Sequence, residues 1–257
     1  MGVAYFLCRR GNGEPDYALV FGVLSAFFTA AAGNVINDIR DKEIDLINRP
    51  DRPIPSSRIA ASSAYKVYFF LVLITLLGGF SISKTAGMIV LSTHLLLYIY
   101  SAFLKALPLT GNMAVGILTG LAFFYGGFIA GNPGIAVLPS LIAGLINVIR
   151  EIVKDIQDLK GDENSGLKTL PLVIGVPGSQ IIIISLSSLF VLLSAFPFFT
   201  GLFNIYYLMI VLLLITPFLI FTLKTLINSP GENALRITSR NLKIIMVIGI
   251  LAIYAGQ

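Results

Sequence analysis

The stretch TLPLVIGVPGSQIIIISLSSLFVLLSAFPFFTGLFNIYYLMIVLLLITPFLIFTL, Thr169 to Leu223, contains no Asp, Glu, Lys or Arg. About 20 apolar residues carry a helix across the hydrocarbon core of a bilayer. This run therefore suits two crossings, parted near Thr200 to Asn204. Working outward, Ala106 to Ile149 is also uncharged and suits two more, with a Gly-Asn-Pro-Gly break at Gly131 to Gly134. Tyr17 to Asn37, Ser62 to Ser83 (with Lys66 near its start) and Ala86 to Ser101 each suit one. Arg240 and Lys243 introduce a last run to Ala255. The pattern predicts an all-α, polytopic transmembrane helix bundle of about 8–9 helices. Val3 to Cys8 is apolar but too short to span, and reads as the end of a truncated first helix.

Composition agrees. Of the 257 residues, 56% are hydrophobic and 12% charged. A soluble domain carries about a quarter charged residues. A net charge of +5 suggests nucleic acid in a soluble protein. Here the cations gather in short loops between apolar runs, where topology accounts for them. The loops holding Arg40 to Arg58, Lys105, Arg150 to Lys168, and Lys224 to Lys243 are basic, and the intervening ones carry little beyond Lys84. The positive-inside rule puts the basic loops in the cytoplasm, with Arg9 and Arg10 dissenting. The single cysteine, Cys8, excludes an internal disulfide and a thiolate metal cluster. The single histidine, His94, argues against a His-metal site or a Ser-His-Asp triad and reads as a polar packing residue.

The chemistry lies at two span ends. Asn37, Asp41 and Asp45 are spaced four apart, and Asp38 stands three before Asp41. Asn147, Glu151, Asp155, Asp158 and Asp162 follow at intervals of four, four, three and four, flanked by Arg150 and Lys154. Each set lines one face of a helix. Seven carboxylates here are more than half of the chain's 13 acids. Like charges at this spacing repel, so helix stability does not explain them. Carboxylates with an amide carbonyl suit magnesium, which keeps waters and shares substrate phosphates. Each stripe closes one span and opens a polar loop, with about three spans between them. The arrangement implies two similar halves around a central cavity.

Asn37-x-x-x-Asp41-x-x-x-Asp45, the loop Asn48-Arg-Pro-Asp-Arg-Pro-Ile-Pro-Ser, the segment Arg150 to Asp162, Lys168-Thr-Leu-Pro171 and Tyr100-Ser-x-x-Leu-Lys105-x-x-Pro-Leu-x-Gly-Asn112 together resemble the UbiA superfamily of intramembrane prenyltransferases. The likeness runs from Tyr17 to nearly the end of the chain and is greatest to the archaeal ether-lipid branch. The family has nine helices in a ring, of which this chain lacks most of the first.

The resemblance implies one intramembrane prenyltransferase domain over residues 1–257. It implies transfer of a geranylgeranyl group from its diphosphate to the free hydroxyl of geranylgeranylglyceryl phosphate, with Mg2+ as cofactor. Asn37, Asp41 and Asp45 would hold one ion and Asp158 and Asp162 another, helped by Asp38 and Asp155. Arg52, Lys105, Lys154 and Arg150 would bind the diphosphate, and the cytoplasmic loops offer Arg49, Arg52, Arg58, Lys160 and Lys168 as cations for a phosphorylated acceptor. Phe69, Phe70, Tyr98, Tyr100, Phe103, Phe123, Phe124, Tyr125 and Phe128 are aromatic candidates to line a dry chamber. The partners implied are a prenyl diphosphate, a lipid acceptor and membrane lipid, with no nucleic acid and no obligate protein partner. The site would face the cytoplasm of a multi-pass cell-membrane protein.

Three rival readings stand beside this one. The same fold with an aromatic acceptor would use the same donor machinery. A CDP-alcohol phosphotransferase would need an Asp-Gly motif spaced from Ala-Arg, which is absent. A cation transporter would place its carboxylates near the membrane midplane rather than at span ends.

Overall fold

The computed structural model describes residues 1–9, 17–48, 50–228 and 231–257. Arg10, Arg49 and the Gly11-to-Pro15 turn lie outside the described residues, as do the side chains of Asn48 and Lys160. Among the described residues, eight helices are long and apolar enough to cross a membrane. They are α2 (Tyr17–Arg40), α4 (Ala61–Ile82), α5 (Lys84–Ala102), α6 (Thr110–Ile129), α7 (Pro133–Gln157), α9 (Leu170–Phe199), the pair α10 (Ile205–Ile210) and α11 (Thr216–Asn228) joined by one π-helical turn, and α12 (Glu232–Ala255). The short helices are α1 (Gly2–Cys8), α3 (Lys42–Asn48) and α8 (Leu159–Asn164). The expected spans are thus present, and Val3 to Cys8 is helical.

Lipid tails are as apolar as leucine, so helices in a bilayer associate through close packing and hydrogen bonds rather than hydrophobic burial. The centre of the bundle shows this. Gly116 and Gly120 of α6 face Gly144 and Ser140 of α7, and a Cβ at Gly116 or Gly144 would stand 2.9 or 2.8 Å from the opposing carbonyl oxygen. The inner face of α2 is likewise small, with Ala18, Gly22, Ser25, Thr29, Ala32 and Gly33 buried. α2 and α5 pack against α6, with α4 against both of them, and α9 and α12 pack against α7, with α10 and α11 against those two. The larger core joins Ile149 and Ile152 of α7 to Ile183, Leu219, Leu242 and Ile245.

Polar side chains inside the bundle pair across helices. His94 is buried on α5, its Nε2 2.7 Å from the Thr75 hydroxyl of α4, which fits the packing role expected of it. Asn241 donates to the Thr222 hydroxyl at 3.2 Å. Asn132, in the α6–α7 turn, donates to the Cys8 carbonyl at 2.8 Å and ties α1 down. Cys8 is itself fully buried as a free thiol. α9 bends at Gly175, whose φ of 75° suits a residue without a Cβ, two residues before Pro177.

Candidate active site

The two acidic stripes meet. α3, which extends the first, touches α8, which extends the second. Between them lies a polar cavity of about 420 Å³, lined by Asn37, Asp41, Asp45, Asp155, Asp158 and Asp162 together with Arg52, Lys105, Lys154, Glu151, Tyr100 and Asn112. Asp38 and Arg150 stand off its wall. Asp38 instead borders a small groove under the Arg52-to-Ile59 loop.

Neither stripe runs on one unbroken helix, as the spacing suggested. The chain leaves regular helix at Asp41, between α2 and α3, and at Asp158, between α7 and α8. The i-to-i+4 backbone bonds nevertheless continue through both breaks, Asp41 N–H to Asn37 O at 2.8 Å and Asp162 N–H to Asp158 O at 2.9 Å. Each stripe therefore keeps one face while its axis bends over the cavity.

Buried carboxylates need partners, because removing an ion from water is expensive. Asp41, 6% exposed, receives the Asn37 amide at 2.9 Å and the Lys105 ammonium. Asp45 is equally buried and is held by Arg52 at 2.7 Å, whose same nitrogen reaches Asp38 at 3.0 Å. Asn112 donates to Asp155 at 2.7 Å. Glu151 takes Arg150 on one oxygen and Lys154 on the other, both at 2.8 Å. The expected diphosphate-binding cations are thus each engaged by the acidic stripes. Burial raises the Asp162 carboxyl above the usual carboxylate range; the Thr169 hydroxyl and Lys105 pull it down, and the Asp158 and Asp41 charges push it further up.

Among the described residues no three Asp, Glu, His or Cys side chains form a ready-made metal cluster. Lys105 pairs with Asp41, and Arg52 with Asp45 and Asp38, instead. One atom still calls for a cation. The side-chain oxygen of Asn37 is buried without a hydrogen-bond partner, beside Asp41 on the cavity wall. An orphaned acceptor of this kind costs free energy unless a donor or a cation meets it. Hard oxygen donors in this number fit magnesium.

At its inner end the polar cavity shares Asn37, Tyr100, Glu151 and Lys154 with an apolar chamber of about 580 Å³. This chamber runs between α2, α5 and α6 and is lined by Gly33, Leu97, Leu118, Phe123 and Tyr125, among others. Of the aromatic candidates, Tyr100, Phe123 and Tyr125 line it. Phe69, Phe70 and Phe103 are each more than 60% exposed on the outside of the bundle, and Phe124 faces an outer groove over the α6–α7 glycines. Phe69, Phe70 and Phe124 sit on outward faces of α4 and α6 and Phe103 in the turn after α5, and composition alone carries no sign of which way a face points. Two partnerships escaped the sequence reading. Asn112 was part of a quoted motif without a role, and Glu151 belonged to the stripe without its two cations.

The UbiA prenyltransferase family model matches residues 1–245. A digeranylgeranylglyceryl phosphate synthase of Methanosarcina mazei is 37% identical over 99% of this chain and 90% of its own. Another from Thermococcus sibiricus is 33% identical over 100% and 91%. A solved structure described as digeranylgeranylglyceryl phosphate synthase superposes with a TM-score of 0.82 and 34% identity, covering 99% of this chain and 90% of that one. A UbiA homologue from Archaeoglobus fulgidus bound to DMAPP and Mg2+ has a TM-score of 0.77 at 22% identity, covering 98% and 93%.

Proposed function

Because this multi-pass membrane chain belongs to the UbiA prenyltransferase family, we propose that residues 1–257 act as one catalytic domain that transfers a geranylgeranyl group from geranylgeranyl diphosphate to the free hydroxyl of geranylgeranylglyceryl phosphate. The relatives bearing the name digeranylgeranylglyceryl phosphate synthase support this reading. The observation that carries it is the neck at Asn37, Tyr100, Glu151 and Lys154, where a charged cavity opens into an apolar chamber. A molecule with an anionic head and a long hydrocarbon tail has its bond between the two at such a neck.

Asn37, Asp41 and Asp45 on one side and Asp158 and Asp162 on the other would hold Mg2+, with Asp38 and Asp155 behind them. Bound there, the metal supplies positive charge to the departing diphosphate. Lys105, Arg52 and Lys154 exchange their carboxylate partners for phosphate oxygens when the head group enters. The carbon–oxygen bond breaks with its electron pair leaving on the diphosphate. Tyr100 presents its ring at the neck, where positive charge develops on the allylic carbon. The acceptor hydroxyl closes the new ether bond, and its proton passes to a carboxylate of the cavity or to the diphosphate. The apolar chamber keeps water from that carbon. The cations around the cavity mouth support a cytoplasmic-facing site by the positive-inside rule.

The test offers the purified protein geranylgeranyl diphosphate and Mg2+ with either geranylgeranylglyceryl phosphate or 4-hydroxybenzoate, and identifies the lipid product by mass spectrometry. The diether phosphate is expected. A better yield with 4-hydroxybenzoate would replace this reading with an aromatic acceptor on the same fold.

A further inference from the structure

The apolar chamber borders a second apolar cavity of about 250 Å³, enclosed by α6, α7, α9, α10 and α12. The two share a wall made of Thr119 and Phe123. Thr119 is pinned by the Asn147 amide of α7, which donates to its hydroxyl. Phe123 is the other half of the wall and is only half-buried.

The dimensions give this wall a consequence. Along α2 the first chamber extends from Asn37 at the neck to Ala26, about 16 Å at the rise of an α-helix. With carbon–carbon bonds of about 1.5 Å, a chain of four isoprene units extends roughly 20 Å. The chain entering through the neck is the donor's, since its head group occupies the polar cavity. Fully extended, such a chain is about one isoprene longer than this chamber is deep along α2. Past Thr119 and Phe123, Ile146, Phe190, Ile215 and Ile245 offer the apolar contacts a terminal unit needs.

We infer that the second cavity receives the terminal isoprene of the donor chain, and that Phe123 governs entry to it and so sets donor length. The inference rests on the proposed prenyl transfer only in taking the donor to be a prenyl diphosphate.

Gly249 of α12 lines the second cavity but not the first, and a Cβ added there meets nothing within 4 Å. Gly249→Leu therefore adds apolar bulk to the second cavity alone. The readout is calorimetric binding of non-transferable thiolodiphosphate analogues of farnesyl and geranylgeranyl to the purified protein with Mg2+. No acceptor or turnover is involved, so failure of the acceptor assignment leaves this measurement intact. Gly249→Leu is expected to weaken the geranylgeranyl analogue at least about tenfold and the farnesyl analogue less than about twofold, because only the longer tail loses its buried end. An unchanged ratio between the two overturns the inference. If both fall together, Phe123→Ala decides. Opening the wall is expected to improve binding of a five-isoprene analogue relative to the four-isoprene one, and no change in that ratio overturns the inference as well.

Discussion

Lys105→Met removes the cation that neutralises Asp41, whose side chain is 9% exposed. Breaking a buried pair by deleting one partner costs about 3–5 kcal/mol. Lys105 is 28% exposed, so water relieves part of the loss and about 1–3 kcal/mol remains. The Asn37 amide still donates to Asp41 but carries no charge. If Asp41 and Asn37 hold Mg2+, the metal restores the missing positive charge, and the variant's deficit shrinks when magnesium is present. Thermal unfolding in detergent, wild type against variant, with EDTA and then with saturating Mg2+, closes this cycle. At roughly 2–4 °C per kcal/mol for a chain of this size, the variant should melt several degrees below wild type in EDTA and close to it in magnesium. A deficit equal in both conditions would refute the assignment of a metal to Asp41. No deficit in either would refute the idea that Lys105 neutralises a buried charge.

Asp41→Ala and Asp158→Ala should each lower kcat at least about a thousandfold while the detergent-solubilised protein keeps its helical circular dichroism and elution volume, since each removes a metal ligand from a solvated cavity; near-normal turnover at saturating Mg2+ would refute the assignment. The Asp162 carboxyl titrates above the usual range, and its protonated form does not bind metal, so the Mg2+ concentration for half-maximal activity should rise as pH falls through that raised value; a requirement that stays flat down to the ordinary carboxylate range would place Asp162 outside the metal site. Gly144→Leu puts a Cβ 2.8 Å from the Gly116 carbonyl and should destabilise the protein by about 1–3 kcal/mol through forced separation of α6 and α7, read as a lower melting temperature. Removing the acceptor's phosphate should raise its KM sharply, as a charged contact is worth about 1.5–3 kcal/mol; unphosphorylated geranylgeranylglycerol used equally well would show that no cation holds that phosphate.

Uncharged runs such as Thr169 to Leu223 determine by themselves that the chain crosses a membrane, because a bilayer admits backbone only as closed hydrogen-bonded structure of known length. The spacing of Asn37, Asp41 and Asp45, and of Glu151, Asp155, Asp158 and Asp162, likewise exposes an acidic face, since helical period alone decides which residues share it. What lies opposite that face is a matter of how helices distant in the chain come together. Lys105 on Asp41, Asn112 on Asp155 and the contact of α3 with α8 each join separate helices or loops, and no local periodicity encodes them. The helix breaks at Asp41 and Asp158 are likewise invisible to the residue spacing, which runs on through both. The aromatic residues show the limit most directly. Phe69 and Phe70 lie exposed on the outside of the bundle while Tyr100 and Phe123 line the chamber, and in a membrane both environments are apolar. Hydrophobicity, which separates inside from outside in water, loses that power here. Only the packing of small residues such as Gly116 against Gly144 decided which faces closed together and which enclosed the chamber.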